Sequence, residues 1–280
     1  MVAPLTPSRT PTPSAQSSPP AGGQAASGPH PGAGRSARRT ILLPDIDWVE
    51  IPGGEFLYQK GERRRLETFR IARYPVTNVQ YQTFIDDGGY ADDRWWKGLH
   101  WPQPESSHWP QANRPRTNVN QYEAVAFTRW LSARFGYAVR LPSESEWERA
   151  ARGRDGRAYP WGETYESGRA NIDETAKYFG SEHKVGEWTL EQTTAVGVYP
   201  HGASPEGVLD LSGNVWEWCL DDSEKSVRGE MNPPKLAGVV RGGGWNHFAV
   251  YARAPRRNWH FPVDRNLVVG FRVLSSAPIS

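Results

Sequence analysis

The sequence predicts an α+β domain with few helices, short strands and much irregular structure. Three observations point there. Signatures of helix starts all fall before residue 153. Beyond Gly153 the apolar stretches are short and broken by Gly, Pro, Asn and Asp, the pattern of turns and short strands. The chain of 280 residues holds 28 Gly, 24 Pro and 13 Trp, which suits a loop-rich fold cored by large rings. Helices first and strands later fit α+β better than an alternating α/β order.

Each element follows from its residues. Thr77 opens the first helix, with Gln80 completing a capping box, and Val79, Phe84 and Ile85 form its apolar side. Asn120 opens the second, with Glu123 at its third position. There Ala124, Phe127, Trp130 and Leu131 recur at helical spacing, and Gly136 ends the helix. Ser143 and Glu146 frame the start of the third, which stops near Gly153. Val239–Arg241 and Gly270–Val273 read as strands. There is no long internal repeat.

Residues 1–40 are a separate block of Pro, Ser, Ala and Gly with four arginines and neither acidic nor aromatic residues. Such a segment cannot offset its ordering entropy by burial and is expected to be a disordered tail. Residues 41–280 are then a single domain. Without the tail the charge falls from +2 to −2, because 33 − 4 = 29 basic residues face 31 acidic ones. That balance argues against a nucleic-acid or membrane-surface footprint. No run of 18 apolar residues exists, so no membrane-spanning helix is expected. The start shows no secretory h-region and no cysteine for lipid attachment. A cytoplasmic location is expected on those grounds, with surface display left open.

The chemistry-bearing residues are sparse. Cys219 is the one cysteine, so an intrachain disulfide is impossible, and its apolar surroundings suggest an inert core thiol. No Gly-x-Ser-x-Gly elbow is present, and Arg241-Gly-Gly-Gly-Trp245 lacks phosphate-loop spacing. Its glycines suggest close backbone packing instead. The seven histidines show no paired-ligand spacing. In Asp210–Glu217, carboxylates flank Gly213 and Asn214, a loop that could aim oxygens at calcium; the alternative is that Asp210 caps a turn and Glu217 pairs with an arginine. The last forty residues mix Arg, Asn, Gly and Ala with large apolar side chains in no clean period. An exposed patch for binding and an ordinary core are equally compatible with that pattern.

Six motifs in order carry a resemblance. They are Trp48–Phe56 (WVEIPGGEF), Tyr74–Asn78 (YPVTN), Arg140–Ala151 (RLPSESEWERAA), Gly213–Trp218 (GNVWEW), Arg241–Trp245 (RGGGW) and Gly270–Arg272 (GFR). Over about residues 45–275 the chain resembles the formylglycine-generating enzyme family (sulfatase-modifying factor domain), which implies a variant of the C-type-lectin fold. The family's oxidase uses cysteines two and seven residues past the motif Trp, where this chain has His247 and Ala252. Its copper chemistry needs thiolate ligands, so the activity is not carried over. Ergothioneine-type iron enzymes of the same fold add an N-terminal helical domain with iron-binding histidines, which residues 1–40 do not supply.

The C-terminal segment also resembles the variable proteins of diversity-generating retroelements. Their variable segment runs between the same two motifs, and adenine-directed mutation of Asn codons cannot yield Gln, Glu, Lys or Met. Those four types number 36 in the chain, so a 24-residue stretch holds about three by composition, yet Asn246–Val269 has none. Trp259 cannot arise by that route. The enzyme's second calcium site maps onto Asp210, Gly213, Val215 and Glu217, with Asp210 in place of an Asn. The other maps poorly, since Asn171-Ile172 matches but Thr189 stands where an Asp is expected.

The expectation is therefore a non-catalytic ligand-binding protein, the variable protein of such a retroelement. Rigid Trp, Gly and Arg positions would display His247, Phe248, Val250, Tyr251, His260, Phe261, Val263, Asp264, Leu267 and Val268. The partner would be a protein or other macromolecular surface, with no nucleic acid, and the protein a monomer. No cofactor is required; structural calcium is the one candidate. The competing expectations are a divergent oxidase or hydrolase using His247 and a carboxylate, and an adaptor module.

Overall fold

In the computed structural model, the compact unit spans residues 41–280. The structure describes residues 42–175, 184–221 and 237–276, together with the backbone of 177–178, 181–182 and 222. The expected tail, and His183, lie outside the described residues.

Four strands come first: β1 (Trp48–Ile51), β2 (Gly54–Tyr58), β3 (Glu62–Leu66) and β4 (Phe69–Ala72). Helices α1 (Asn78–Asp86), α2 (Gln121–Phe135) and α3 (Glu144–Arg152) follow. The remainder is β5 (Lys177–Tyr178), β6 (Ser181–Glu182), β7 (Trp216–Asp222), β8 (Gly238–Arg241), β9 (Arg257–His260), β10 (Val269–Gly270) and β11 (Leu274–Ser275). The α+β class is as expected, but strands also precede the helices. One sheet has the order β1-β4-β11 and another β10-β7-β8-β9; β2-β3 and β5-β6 are two-stranded.

The three helix starts lie where the capping residues place them. Thr77, Asn120 and Ser143 are N-caps, and each makes a reciprocal capping box with Gln80, Glu123 and Glu146. Gly136 ends α2 in the left-handed region at φ 76°. Helix α2 buries Ala124, Phe127, Trp130 and Leu131, as its spacing predicts. Phe127 stacks with Tyr81 of α1 at 5.4 Å and meets Phe271 edge-on at the same distance. Val79 departs from expectation: it is exposed, and Asn78 and Tyr81 take the inner side with Phe84.

The second departure is the strand expected at Gly270–Val273. Gly270 pairs in parallel with Glu217 of β7, and the chain then crosses to the other sheet, where Leu274 pairs with Ile71 of β4. Residues 271–273 make the crossing, so no continuous strand forms. The crossing places Arg272 inside the core. It is fully buried, and its Nε and Nη2 donate to the two carboxylate oxygens of Glu217 at 2.6 and 2.7 Å. A bidentate pair of this kind is strong and directional. Buried Arg241 plays the matching part beneath α3, pairing with Glu144 at 3.0 Å and Glu148 at 2.5 Å.

Candidate ligand-binding face

The segment after β8 begins with glycines that permit close packing. Gly243 has φ 82°, and a Cβ there would lie 3.0 Å from both the Tyr251 carbonyl oxygen and Ala252 Cα. The chain therefore folds back on itself directly over the motif.

From there the segment is fastened mainly through its own carbonyls. The Asp173 amide donates to His247 O at 3.0 Å, and the Tyr159 hydroxyl to Ala249 O at 3.1 Å. Ser212 Oγ donates to Ala252 O at 2.7 Å. The amides of Gln121, Asn118 and Trp216 donate to Pro262 O, Asn266 O and Val268 O at 3.1, 3.0 and 2.8 Å. Two arginines add side-chain pins: Arg257 to Glu144 at 2.7 Å, and Arg265 to Glu123 at 2.7 Å.

The ten expected contact residues divide by burial. Val250, Phe261, Val263 and Leu267 are 41–51% exposed, and Asp264 is exposed as well. His247, Tyr251 and His260 are half-buried. Phe248 is largely buried but lines a neighbouring cleft, whereas Val268 does not project as expected: it joins the core that contains Trp216. The reason for Val268 is its carbonyl's bond to Trp216, which draws the end of the segment into the β7–β10 pairing. Trp259 is half-buried in β9.

His247 stands edge-on to Trp216 at 5.5 Å and to Tyr251 at 5.2 Å. Burial lowers its pKa to about 4, with nearby His260 and Arg256 adding to the effect, so the ring is neutral at pH 7. Burial also lowers the His260 pKa, while Asp264 acts in the other direction. Ala252 is fully buried beneath Gly243. Cys219 lies elsewhere in the core, where burial pushes its thiol pKa well up. Neither position 247 nor position 252 offers a thiolate.

The candidate calcium residues do not fit that ion. Both Glu217 oxygens are taken by Arg272, and Oε2 also accepts the Trp147 indole N–H at 2.7 Å. Asp210 Oδ2 accepts the Gly197 amide at 2.8 Å, and burial raises its pKa to about 6. A guanidinium thus neutralises the carboxylate that calcium would need, which is the arginine alternative read from the sequence. Among the described residues no three His, Cys, Asp or Glu side chains converge on a metal position. Nor is any helix among them long and apolar enough to cross a membrane.

Sequence reasoning missed one wall of the face. A cleft of about 460 Å³ runs beside Phe248 and Val250 and is bordered by Tyr159, Tyr165, Val185 and Arg253. Tyr159, Trp161 and Tyr165 pack there as a ring cluster, with Tyr159 and Trp161 stacked at 5.2 Å. These residues lie in a turn-rich stretch with no periodic pattern, so nothing local linked them to a segment ninety residues away.

Comparison with known proteins agrees with this architecture. The family model for the sulfatase-modifying factor enzyme 1-like domain matches residues 38–277. The hercynine oxygenase of Mycobacterium tuberculosis is 32% identical over 240 residues, covering 73% of this chain and 52% of that protein. The chain therefore spans about half the length of that relative. The formylglycine-generating enzyme of Thermomonospora curvata is 32% identical over 223 residues, covering 62% of this chain and 70% of that enzyme. Among solved structures, variable protein 1 of Treponema denticola superposes with a TM-score of 0.59 at 20% identity, covering 85% of this chain and 98% of that one. The chain belongs to the sulfatase-modifying factor (formylglycine-generating enzyme) domain family, and its fold is C-type-lectin-like.

Proposed function

We propose that this domain is a non-catalytic ligand-binding protein that presents the side chains of residues 247–267 to a macromolecular partner. The observation that carries the reading is how the segment is held. Nine of its carbonyls, from His247 to Val268, accept hydrogen bonds from residues outside the segment. A carbonyl is the same whatever side chain its residue carries, so this fastening tolerates sequence change at the surface. The backbone is ordered before binding, which removes much of the entropy cost of association. Four large apolar side chains exposed within eighteen residues supply a contact surface.

The finer reading is that the segment is the diversified part of a retroelement variable protein. Its support is the missing Gln, Glu, Lys and Met across Asn246–Val269, together with carbonyl fastening that spares the side chains.

The test pairs two measurements. Reads of the encoding locus from many cells of one culture should vary at codons for Val250, Phe261, Val263 and Leu267 and stay fixed at Arg257 and Arg265. An invariant segment removes the diversification reading. Separately, oxygen uptake with a cysteine-containing peptide should remain at background. Turnover that His247→Ala abolishes would replace the binding reading with an enzymatic one, in line with the named activities of the relatives.

A further inference from the structure

Six arginines lie between residues 241 and 272, and four are fully committed. Arg241, Arg257, Arg265 and Arg272 each pair with one or two glutamates. Arg253 and Arg256 differ. Among the described residues neither has a carboxylate within ion-pair distance, and Arg256 Nε is buried without a hydrogen-bond partner. The two share one turn, closed by the Arg256 amide donating to Arg253 O at 2.8 Å. The Arg256 guanidinium lies over the Tyr251 ring at 4.7 Å. Arg253 is exposed and borders the cleft of about 460 Å³.

The other charges at that cleft are Lys184, which pairs with Glu187 at 2.5 Å, and Glu163. The cleft thus joins apolar and aromatic walls to the Arg253 guanidinium, and the turn beside it carries Arg256; among the described residues neither is within ion-pair distance of a carboxylate. A guanidinium stacked on an aromatic ring is well placed to take a carboxylate in two-pronged fashion.

We infer that the turn at Arg253–Arg256 and the adjoining cleft bind an acidic peptide segment of a partner protein, with an aromatic or aliphatic side chain in the cleft and carboxylates on the two arginines. This inference rests on the binding reading above and specifies its partner. The observations favour a peptide over a nucleic acid. The cleft has aromatic and aliphatic walls, the turn beside it offers just two guanidiniums rather than an extended basic track, and residues 41–280 carry a net −2, since 33 − 4 = 29 basic residues face 31 acidic ones.

Fluorescence anisotropy with the full chain tests it. The probes are a labelled Asp-Glu-Phe-Asp-Glu peptide, its Lys-Lys-Phe-Lys-Lys counterpart and a labelled oligothymidylate. The acidic peptide should bind, weaken as salt rises, and lose about tenfold or more in affinity in Arg253→Glu, which alters an exposed side chain, and further in Arg253→Glu/Arg256→Glu. Equal binding of both peptides, no binding of the acidic one, or tighter binding of the oligonucleotide overturns the inference. So does an affinity unmoved by Arg253→Glu when thermal melting shows the variant folded. A combined Val250→Ser/Phe261→Ser/Val263→Ser/Leu267→Ser variant separates the two claims, using a partner selected on the wild-type chain. If that variant loses the partner while the charge reversals keep it, the binding face stands and the acidic peptide falls. If neither set loses it, both fall.

Discussion

The buried arginines and the exposed face use the same residue type in opposite ways. Arg241 and Arg272 are fully buried, and their charges are matched inside the core by Glu144, Glu148 and Glu217. Arg253 and Arg256, which lie between them in sequence, have no such match among the described residues. A guanidinium in the core fixes one geometry, because leaving its partner alone in a low-dielectric interior is costly. A guanidinium at the rim stays available to something outside. The difference separates the part of the chain that specifies the fold from the part that is free to specify a ligand.

The largest expected effect comes from breaking the core side of that contrast. Arg272→Met leaves the Glu217 carboxylate buried with only the Trp147 N–H, and urea unfolding should show a loss of about 3–5 kcal/mol. Adding Glu217→Gln should recover part of it. A single variant within about 1 kcal/mol of wild type would mean that the pair does not hold the β7–β10 junction.

A pH series sharpens the contrast through two groups of opposite sign. His247 has a folded pKa of about 4 against an ordinary 6.5, so the folded protein resists the proton. Its contribution is complete above pH 6.5 and is lost as pH falls toward 4. Asp210, with its pKa raised to about 6 from 3.8, works the other way: its contribution is complete below pH 3.8 and is lost as pH rises through 6. Subtracting the His247→Phe stability profile from the wild-type one isolates the first group. The difference should change by about 2 kcal/mol between pH 6.5 and 4. A flat difference would mean that His247 is not shielded by Trp216 and Tyr251.

The smallest effect belongs to the face itself. Leu267→Ser or Val263→Ser, each at an exposed position, should shift stability by no more than about 0.5 kcal/mol in thermal melts. A loss several times larger would make these side chains part of the core and collapse the distinction between the two regions.

The sequence made the helix starts legible because capping is local: a Thr, Asn or Ser and a residue three places on decide it together. The strands were harder. β3 reads Glu-Arg-Arg-Arg-Leu, with no apolar alternation, and exists because β2 pairs along its whole length. The crossing at residues 271–273 is set by a sheet more than 190 residues away in sequence, which no local window contains. At the face, the motifs marked where the segment starts and ends but not which side chains turn inward. Phe248 and Val250 are two residues apart and similar in character, yet one is buried and the other exposed. That choice is made by the Tyr159 loop and the tether on Ala249 O. That Arg253 and Arg256 go unmatched among the described residues depends on glutamates such as Glu123, Glu144 and Glu148, which lie about a hundred positions away and pair with their neighbours.

The long-range tie at Arg272 also bears on how the chain is made. Its Nη1 donates to Ala72 O at 3.0 Å, a contact between residues 200 positions apart, and β11 completes a sheet whose other strands are β1 and β4. During synthesis β1, β4 and the three helices emerge from the ribosome well before the residues that close over them. Until Arg272 is available Glu217 lacks its guanidinium, and until residues 274–275 follow, β4 has an open edge. Closure must therefore wait for the end of the domain, making this a high-contact-order, late-committing folder that is exposed to misassociation while nascent.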